Sequence, residues 1–270
     1  MARSSTITGR VLAVAALFAS GIATVSAECT REGLIASANT FLKAVAAGST
    51  SGLSLSATNF TYRENNHAAD IKKSYLSAPL KVDLSRITAD TVECASYTMF
   101  ISAGGTKPYV VSTQIRHPPG GDTTQIALID SIVASTGALF FNAKKTLDLV
   151  SKETWTPLAA ANQTSRETLK KFGDGYLDMW TDAKAADSIA WGTDCERVEG
   201  SQLTRPCGAS LPRGGSTKNN GNRRYVIDEV MGSVDVLCSF DSLGNYADSH
   251  EIRAESGKVK YVHTVTILLK

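Results

Sequence analysis

Helix-type and strand-type hydrophobic patterns alternate along this chain, and together they predict an α+β protein. Two stretches, at about residues 31–46 and 165–180, place their apolar residues on one face of an amphipathic helix. Runs rich in β-branched and aromatic residues, bounded by turn-forming residues, predict strands. These strands are expected at about residues 86–103, 109–116 and 124–134, and again at about 224–240, 248–254 and 258–268.

The same order of elements occurs twice, which indicates an internal repeat. Two units follow from it, the first at residues 28–150 and the second at residues 151–270. A chance match between two ordinary α+β patterns is the alternative. Four pairings carry the alignment: TQIR at 113–116 with HEIR at 250–253, Asp130 with His263, Tyr62 with Arg197, and Glu64 with Glu199.

The N-terminal 27 residues have the pattern of a secretory signal peptide. Two arginines precede an apolar run, and a small-x-small cleavage site ends at Ala27. A membrane anchor is the alternative, but it needs a longer uninterrupted apolar span. The sequons at Asn59 and Asn162 are predicted glycosylation sites and fit the same route. The protein is therefore expected in the secretory-pathway lumen or outside the cell.

The charge balance of the mature chain argues against two classes of partner. Removing the signal removes two arginines and no acidic residue, which leaves 26 basic and 26 acidic side chains. No basic stripe or run is present, so neither nucleic acid nor an anionic membrane is expected as a partner.

Five cysteines remain after signal cleavage, an odd number that leaves one unpaired. Cys195 and Cys207 bracket a short loop and are expected to form a local disulfide. Cys29 and Cys94 lie in the same half and are expected to tie the N-terminus to a strand. Cys238, inside the apolar run VDVLCSF, is then the buried thiol. None of these spacings is typical of a zinc site, and no metal is expected.

Several stretches resemble a known superfamily. ESGKVKYVHTV at 255–265 is similar to the closing strand of SnoaL-like and ketosteroid isomerase-like proteins of the nuclear transport factor 2-like superfamily. WGTDCERVEG, NRRYVIDE and DSHEIR extend the resemblance to secreted fungal proteins with two such units in tandem. Some of those are cyclases that couple anhydride monomers in maleidride pathways.

The resemblance implies two tandem cone-shaped units, each a bent antiparallel sheet wrapped around helices. Each cone would enclose a mostly apolar cavity. Polar groups in such a cavity can have strongly shifted pKa values, which suits acid/base chemistry without a cofactor. No nucleophile elbow, phosphate-binding loop or dinucleotide fingerprint occurs in the chain, so no cofactor is expected.

Strand parity nominates the candidate catalytic residues. In the last strand the more apolar face, taken as the inner one, carries His263 and the proposed substrate-binding residue Tyr261. The same rule turns Asp130 inward in the first unit. A satisfied core residue is the alternative for each. Tyr225 and Glu229 share one face of another strand, and Asp228 lies on the opposite face. Parity does not decide which of the two carboxylates meets the cavity.

Other polar residues are candidates for substrate binding. Arg197 and Glu199 share a face, with Tyr62 and Glu64 as counterparts in the first unit. A structural ion pair is the favoured interpretation, and an anion-binding arginine is the alternative. His250 belongs to an Asp-Ser-His cluster at the start of a strand, where capping of the preceding turn is the favoured alternative.

These candidates lead to two hypotheses of different classes. The first is a cofactor-independent enzyme that cyclises, isomerises or dimerises a small apolar carbonyl metabolite of polyketide or anhydride type. Here His263 accepts a proton and Arg197 holds the resulting enolate. The second is a secreted protein without catalytic activity that binds a hydrophobic metabolite or a protein partner. A cavity lined by several uncompensated ionisable groups favours the enzyme.

Overall fold

The computed structural model of the protein describes residues 29–268 together with Met1. The predicted signal peptide, Met1 apart, lies outside the described residues. None of the helices in the described part is both long enough and apolar enough to span a membrane.

Two six-stranded sheets and three α-helices make up the regular structure of the described chain, which is an α+β fold with two sheet units. The strands of the first sheet are β1 (Thr61–Glu64), β2 (His67–Ala68), β3 (Leu84–Asp90), β4 (Ala95–Ser102), β5 (Tyr109–Arg116) and β6 (Leu128–Ala134). Those of the second sheet are β7 (Trp191–Glu199), β8 (Gln202–Thr204), β9 (Gly221–Asp228), β10 (Ser233–Phe240), β11 (Tyr246–Glu255) and β12 (Lys258–Ile267). The first sheet has the order β2-β1-β6-β5-β4-β3, and the second has the equivalent order β8-β7-β12-β11-β10-β9.

Both sheets are mixed, whereas the resemblance implied antiparallel sheets. β1 pairs in parallel with β6, and β7 pairs in parallel with β12. The remaining pairs are antiparallel, as expected for strands joined by short hairpin turns. The parallel pairs arise because β1 and β7 come before the hairpins and reach the far edge of the last strand by a long crossover.

The internal repeat extends to the register of the strands. Residues aligned from the sequence occupy equivalent pairing positions: Tyr62 opposite Ile129 and Arg197 opposite Val262, Gln114 opposite Asp130 and Glu251 opposite His263. The alignments proposed between the two halves are therefore confirmed at these positions.

One helix covers one face of each sheet. Helix α1 (Arg31–Ala47) begins at Thr30, whose side chain accepts the amide of Gly33, and it packs on β3 and β4. Helix α3 (Arg166–Asp178) is capped in the same way by Ser165 and packs on β9, β10 and β11. The apolar stripe predicted for each helix is buried against its sheet. Helix α2 (Ala143–Val150) lies in the connection between the units.

The opposite faces of the two sheets pack against each other. One hydrophobic cluster contains side chains from both, including Tyr97, Met99 and Ile132 of the first sheet and Leu237, Val265 and Ile267 of the second. Each sheet is thus buried on both faces, by its own helix and by the other sheet. Alternation of apolar and polar residues is weak in such strands.

The disulfides are the two pairs proposed from the sequence. Cys29 bonds Cys94 in the turn between β3 and β4, and Cys195 of β7 bonds Cys207 in the long loop that follows β8. Cys238 is unbonded and fully buried, and burial raises the pKa of its thiol well above the ordinary value. Two disulfides fit a protein that folds in an oxidising compartment.

Candidate functional site

A cavity of about 330 Å³ lies between α3 and strands β7, β11 and β12 of the second unit. This volume is within the range of small-molecule sites. It lies on the helix-covered side of the sheet, and a segment of the first unit contributes part of its rim. Among the side chains around it are Tyr176, Trp180, Arg197, Glu199, His250 and Thr264.

His250 is the cavity-lining group best suited to proton transfer. It lies two residues after Asp248 on the same face of β11, and its Nε2 is 3.1 Å from Asp248 Oδ2. Both side chains are buried, and neither ring nitrogen makes a well-oriented hydrogen bond to any described residue. Burial raises the pKa of Asp248 although His250 opposes that effect.

Aromatic rings fix the orientation of His250. Its ring lies 5.1 Å from that of Tyr176 on α3 and 5.5 Å from that of Phe240, which ends β10. The sequence places these rings together because the helix positions that face the sheet carry aromatic residues. His250 was predicted to bind substrate, and the structure places it at the cavity.

Arg197 and Glu199 form the ion pair that the sequence favoured. Arg197 Nε is 3.2 Å from Glu199 Oε2, and its Nη1 and Nη2 donate to the carbonyls of Cys207 and Ala209 at 2.9 and 3.0 Å. The Cys195–Cys207 disulfide fixes the loop that supplies these carbonyls. Arg197 is thus a buried, held cation at the cavity wall.

Two cavity residues were missed by the sequence reasoning, which counted both as helix core. Tyr176 donates its hydroxyl to Glu199 Oε1 at 3.3 Å, and burial followed by the Glu199 carboxylate raises its pKa well above the ordinary value. The buried indole Nε1 of Trp180 has no hydrogen-bond partner among the described residues. The available signal was their i, i+4 spacing at the sheet-facing end of an amphipathic helix.

The predicted orientation of His263 is wrong. It lies between the two sheets, where Nδ1 is 3.0 Å from Glu251 Oε2 and Nε2 is 2.9 Å from Glu153 Oε1. Its ring lies 5.8 Å from that of Trp155. Burial alone would lower the pKa of His263, but Glu153 outweighs burial and the pKa is raised. Parity failed because the sheet–sheet interface is more apolar than the lining of the cavity.

Asp130 and Tyr261 are also on the interface side, so the prediction that they face a cavity is wrong for the same reason. Asp130 Oδ2 accepts Arg224 Nε at 2.9 Å across the interface. The ring of Tyr261 stacks on that of Trp155 at 6.0 Å. A bulge in β12 between Val259 and Tyr261 further shifts the alternation, so Val259 joins the helix-side core.

The remaining second-unit candidates lie away from the cavity. Tyr225 is on the helix side, but its hydroxyl donates to Asp174 Oδ1 at 2.5 Å. Glu229 follows the end of β9, is exposed, and accepts the amide of Arg166 at the start of α3 at 2.7 Å. The other candidate carboxylate, Asp228, is buried at the contact with the first unit, where its Oδ1 pairs with Arg31 Nη1 at 2.6 Å.

The interior of the first unit is filled by tyrosines. Tyr62 donates its hydroxyl to Glu64 Oε2 at 2.6 Å. The Tyr75 hydroxyl, from a short 3₁₀ helix (Tyr75–Ser77), lies 3.1 Å from Ser131 Oγ and 3.4 Å from Thr113 Oγ1. A wider opening of about 840 Å³ remains at the mouth of this unit, lined by exposed loop residues and, deeper, by buried side chains such as Tyr75, Tyr109 and Val133.

Comparison with known proteins matches the second unit alone. A family model described as a domain of unknown function, DUF8021, matches residues 162–266. That stretch begins just before α3 and ends near the end of β12, so it contains the second sheet and the cavity. No curated protein and no solved structure is significantly similar to the chain. The sequons at Asn59 and Asn162 are both exposed, and their glycosylation stays a prediction.

Proposed function

We propose that the second unit is a cofactor-independent acid/base enzyme of the secretory pathway that acts on a small, largely apolar carbonyl metabolite. One observation carries this proposal. His250, which lies beside Asp248, and Trp180 both line the cavity, and the buried ring nitrogens of both side chains lack a hydrogen-bond partner among the described residues. Unsatisfied buried polar groups are costly, so their presence together at a cavity supports a ligand that satisfies them.

The roles follow from the groups present. The substrate carbonyl oxygen accepts a hydrogen bond from Trp180 Nε1, and His250 accepts a proton from the adjacent carbon. Asp248 stabilises the imidazolium that forms. Negative charge that develops on the oxygen is balanced by the positive charge that His250 gains, with Arg197, already paired with Glu199, in the same cavity wall. Return of the proton to another carbon gives isomerisation, and attack of the enolate carbon on a second carbonyl gives cyclisation or dimerisation.

A binding protein without catalytic activity is the second candidate. It is favoured by the small accessible surface of His250, which is only 2% exposed, and by the apolar side chains at the cavity mouth. In this case Trp180 and His250 bind the polar group of a carried metabolite.

Exchange of carbon-bound protons with D₂O distinguishes the two candidates. The protein is incubated with small cyclic ketones and 1,3-diketones, and loss of the α-proton signal is followed by NMR. We expect exchange faster than with the same concentration of free imidazole. His250→Gln should reduce it by roughly 10²-fold or more, the range for a lost general base.

His263→Gln is the matched control, because His263 is equally buried on the neighbouring strand but lies at the interface. It should lower the melting temperature and leave exchange by the folded fraction unchanged. Saturable ketone binding without exchange supports the binding protein. Absence of both binding and exchange contradicts both candidates.

A further inference from the structure

Polar and apolar side chains lie at different depths around the second-unit cavity. Three polar ones are deeply buried, with Tyr176 and His250 2% exposed and Arg197 4% exposed, whereas the Glu199 side chain lies nearer the surface. The large apolar ones at the rim are the most exposed, with Phe140 at 52% and Leu243 at 40%. Apolar residues are usually the buried ones, so this order indicates a ligand whose polar end enters first.

The charges at the polar end compensate one another. Arg197 is paired with Glu199, and Asp248 Oδ2 lies 3.1 Å from His250 Nε2, so the Arg197 cation and the Asp248 carboxyl both already have a neighbour within the chain. A charged head group would enter this floor without a counter-ion of its own, which is costly in a buried site. The unpartnered N–H of Trp180 instead favours an uncharged acceptor, such as a carbonyl oxygen.

The apolar rim is held in place by backbone hydrogen bonds. Phe140, in the segment after β6, has a positive φ of 50°, and its carbonyl accepts the amide of Ser201 at 2.9 Å. The preceding Leu139 amide donates to the carbonyl of Thr266 at 3.2 Å. Gly200 permits this approach, because a Cβ there would lie 2.6 Å from the carbonyl oxygen of Leu139. The first unit thus supplies a fixed, exposed phenyl ring to the second unit's cavity.

The cavity is too small to enclose a long ligand. A volume of about 330 Å³ corresponds to roughly eleven water molecules at about 30 Å³ each. A methyl ketone of about eleven non-hydrogen atoms fills it at that volume per atom, and a longer chain must leave over the rim. The exposed rings and side chains are then the surface that such a chain would cover.

We infer that the cavity takes an uncharged amphiphile head first, with its carbonyl at Trp180 and His250 and its apolar tail across Phe140 and Leu243. The reaction on that carbonyl rests on the proposed function. The mode of binding does not.

A series of 2-alkanones from 2-butanone to 2-tetradecanone tests the inference, with affinity measured by tryptophan fluorescence. Each added methylene should tighten binding by about threefold to fourfold while it is buried, and the increase should continue for tails longer than the cavity. The double variant Phe140→Ser, Leu243→Ser should remove the increase for the long ketones only. Val92→Ser is the matched control, because Val92 is 69% exposed and lies away from the cavity.

Two results overturn the inference. Affinity that does not depend on chain length shows that the rim does not bind a tail. Tighter binding of straight-chain carboxylates than of ketones of equal length shows that the head group is charged. Measuring proton exchange in the same samples distinguishes failure of the binding mode from failure of the proposed function. Exchange without chain-length dependence leaves the enzyme and removes the inference, and chain-length dependence without exchange does the reverse.

Discussion

The two units have the same strand order and register, yet their interiors differ at equivalent positions. One row of paired residues crosses three strands in each sheet: Glu64, Ser131 and Thr113 in the first, and Glu199, Thr264 and His250 in the second. In the first unit the hydroxyls of Ser131 and Thr113 bond each other and the Tyr75 hydroxyl. In the second unit His250 replaces a hydroxyl residue, and no well-oriented hydrogen bond satisfies its ring among the described residues.

The difference teaches that the backbone does not decide where the candidate site lies. The same sheet carries a satisfied hydroxyl network beneath the opening of one unit and a cavity with unsatisfied groups in the other. Function resides in the site and not in the fold. The comparison also explains why a sequence repeat alone could not say which unit to test.

The two disulfides provide the largest test of this difference, because each belongs to one unit. In the chain-entropy estimate, loss of Cys29–Cys94, with a separation of 65 residues, costs about 4 kcal/mol, and loss of Cys195–Cys207, with a separation of 12, costs about 3 kcal/mol. Only the second carries the carbonyls that hold Arg197. We therefore expect the smaller stability loss to have the larger effect on ketone binding.

Paired Cys→Ala variants measure this, with urea unfolding for stability and tryptophan fluorescence for ketone affinity. Equal loss of affinity in both double variants at matched folded fraction contradicts the separation between the units. Retention of full affinity without Cys195–Cys207 contradicts the role of the loop in holding Arg197.

The shared interface should respond to pH in a way that neither interior does. Glu153 accepts hydrogen bonds from Arg86 at 2.7 Å, Trp155 at 2.8 Å and His263 at 2.9 Å. Burial opposes ionisation of Glu153, but His263 and Arg86 lower its pKa to about 2. The contribution of Glu153 to the free energy of unfolding is therefore fully present above its ordinary pKa of 4.5. This contribution is lost as the pH falls towards 2.

Glu153→Gln should cost about 3 kcal/mol at neutral pH, because it leaves buried cations without their partner. The difference from the unmodified protein should shrink between about pH 4.5 and 2. His263 has a raised pKa, so its contribution is present below the ordinary value of 6.5 and is lost as pH rises through the folded value. Urea unfolding of Glu153→Gln measures the acid limb, and urea unfolding of His263→Gln at pH values above 6.5 measures the other limb. Asp187→Asn, in an exposed pair with Arg213, is the control and should change stability by less than about 1 kcal/mol.

The sequence contained enough information for the repeat and the pairing of the cysteines, and it favoured the ion pair of Arg197 with Glu199 over the anion-binding alternative. It was insufficient for the direction of His263 and Asp130, because parity assumes one buried face and these strands have two. Whether a buried histidine meets a cavity or another sheet depends on how the units pack. That packing involves residues more than 100 positions apart, such as Glu153 and His263, and no local pattern reports it.

The smallest expected effect is a matched pair of tyrosine variants, one from each interior. Tyr75→Phe should cost about 1 kcal/mol, because the Thr113 and Ser131 hydroxyls still bond each other at 2.9 Å. It should leave proton exchange unchanged. Tyr176→Phe should cost no more, since the Glu199 side chain is 34% exposed and water can replace the lost hydroxyl.

Tyr176→Phe should nevertheless lower the rate of proton exchange, because Glu199 loses the hydroxyl that holds it beside the cavity while keeping Arg197. Melting temperature and the exchange rate are measured on the same samples. A lower rate in Tyr75→Phe, or an unchanged rate in Tyr176→Phe, would mean that the chemistry does not reside in the second unit's cavity.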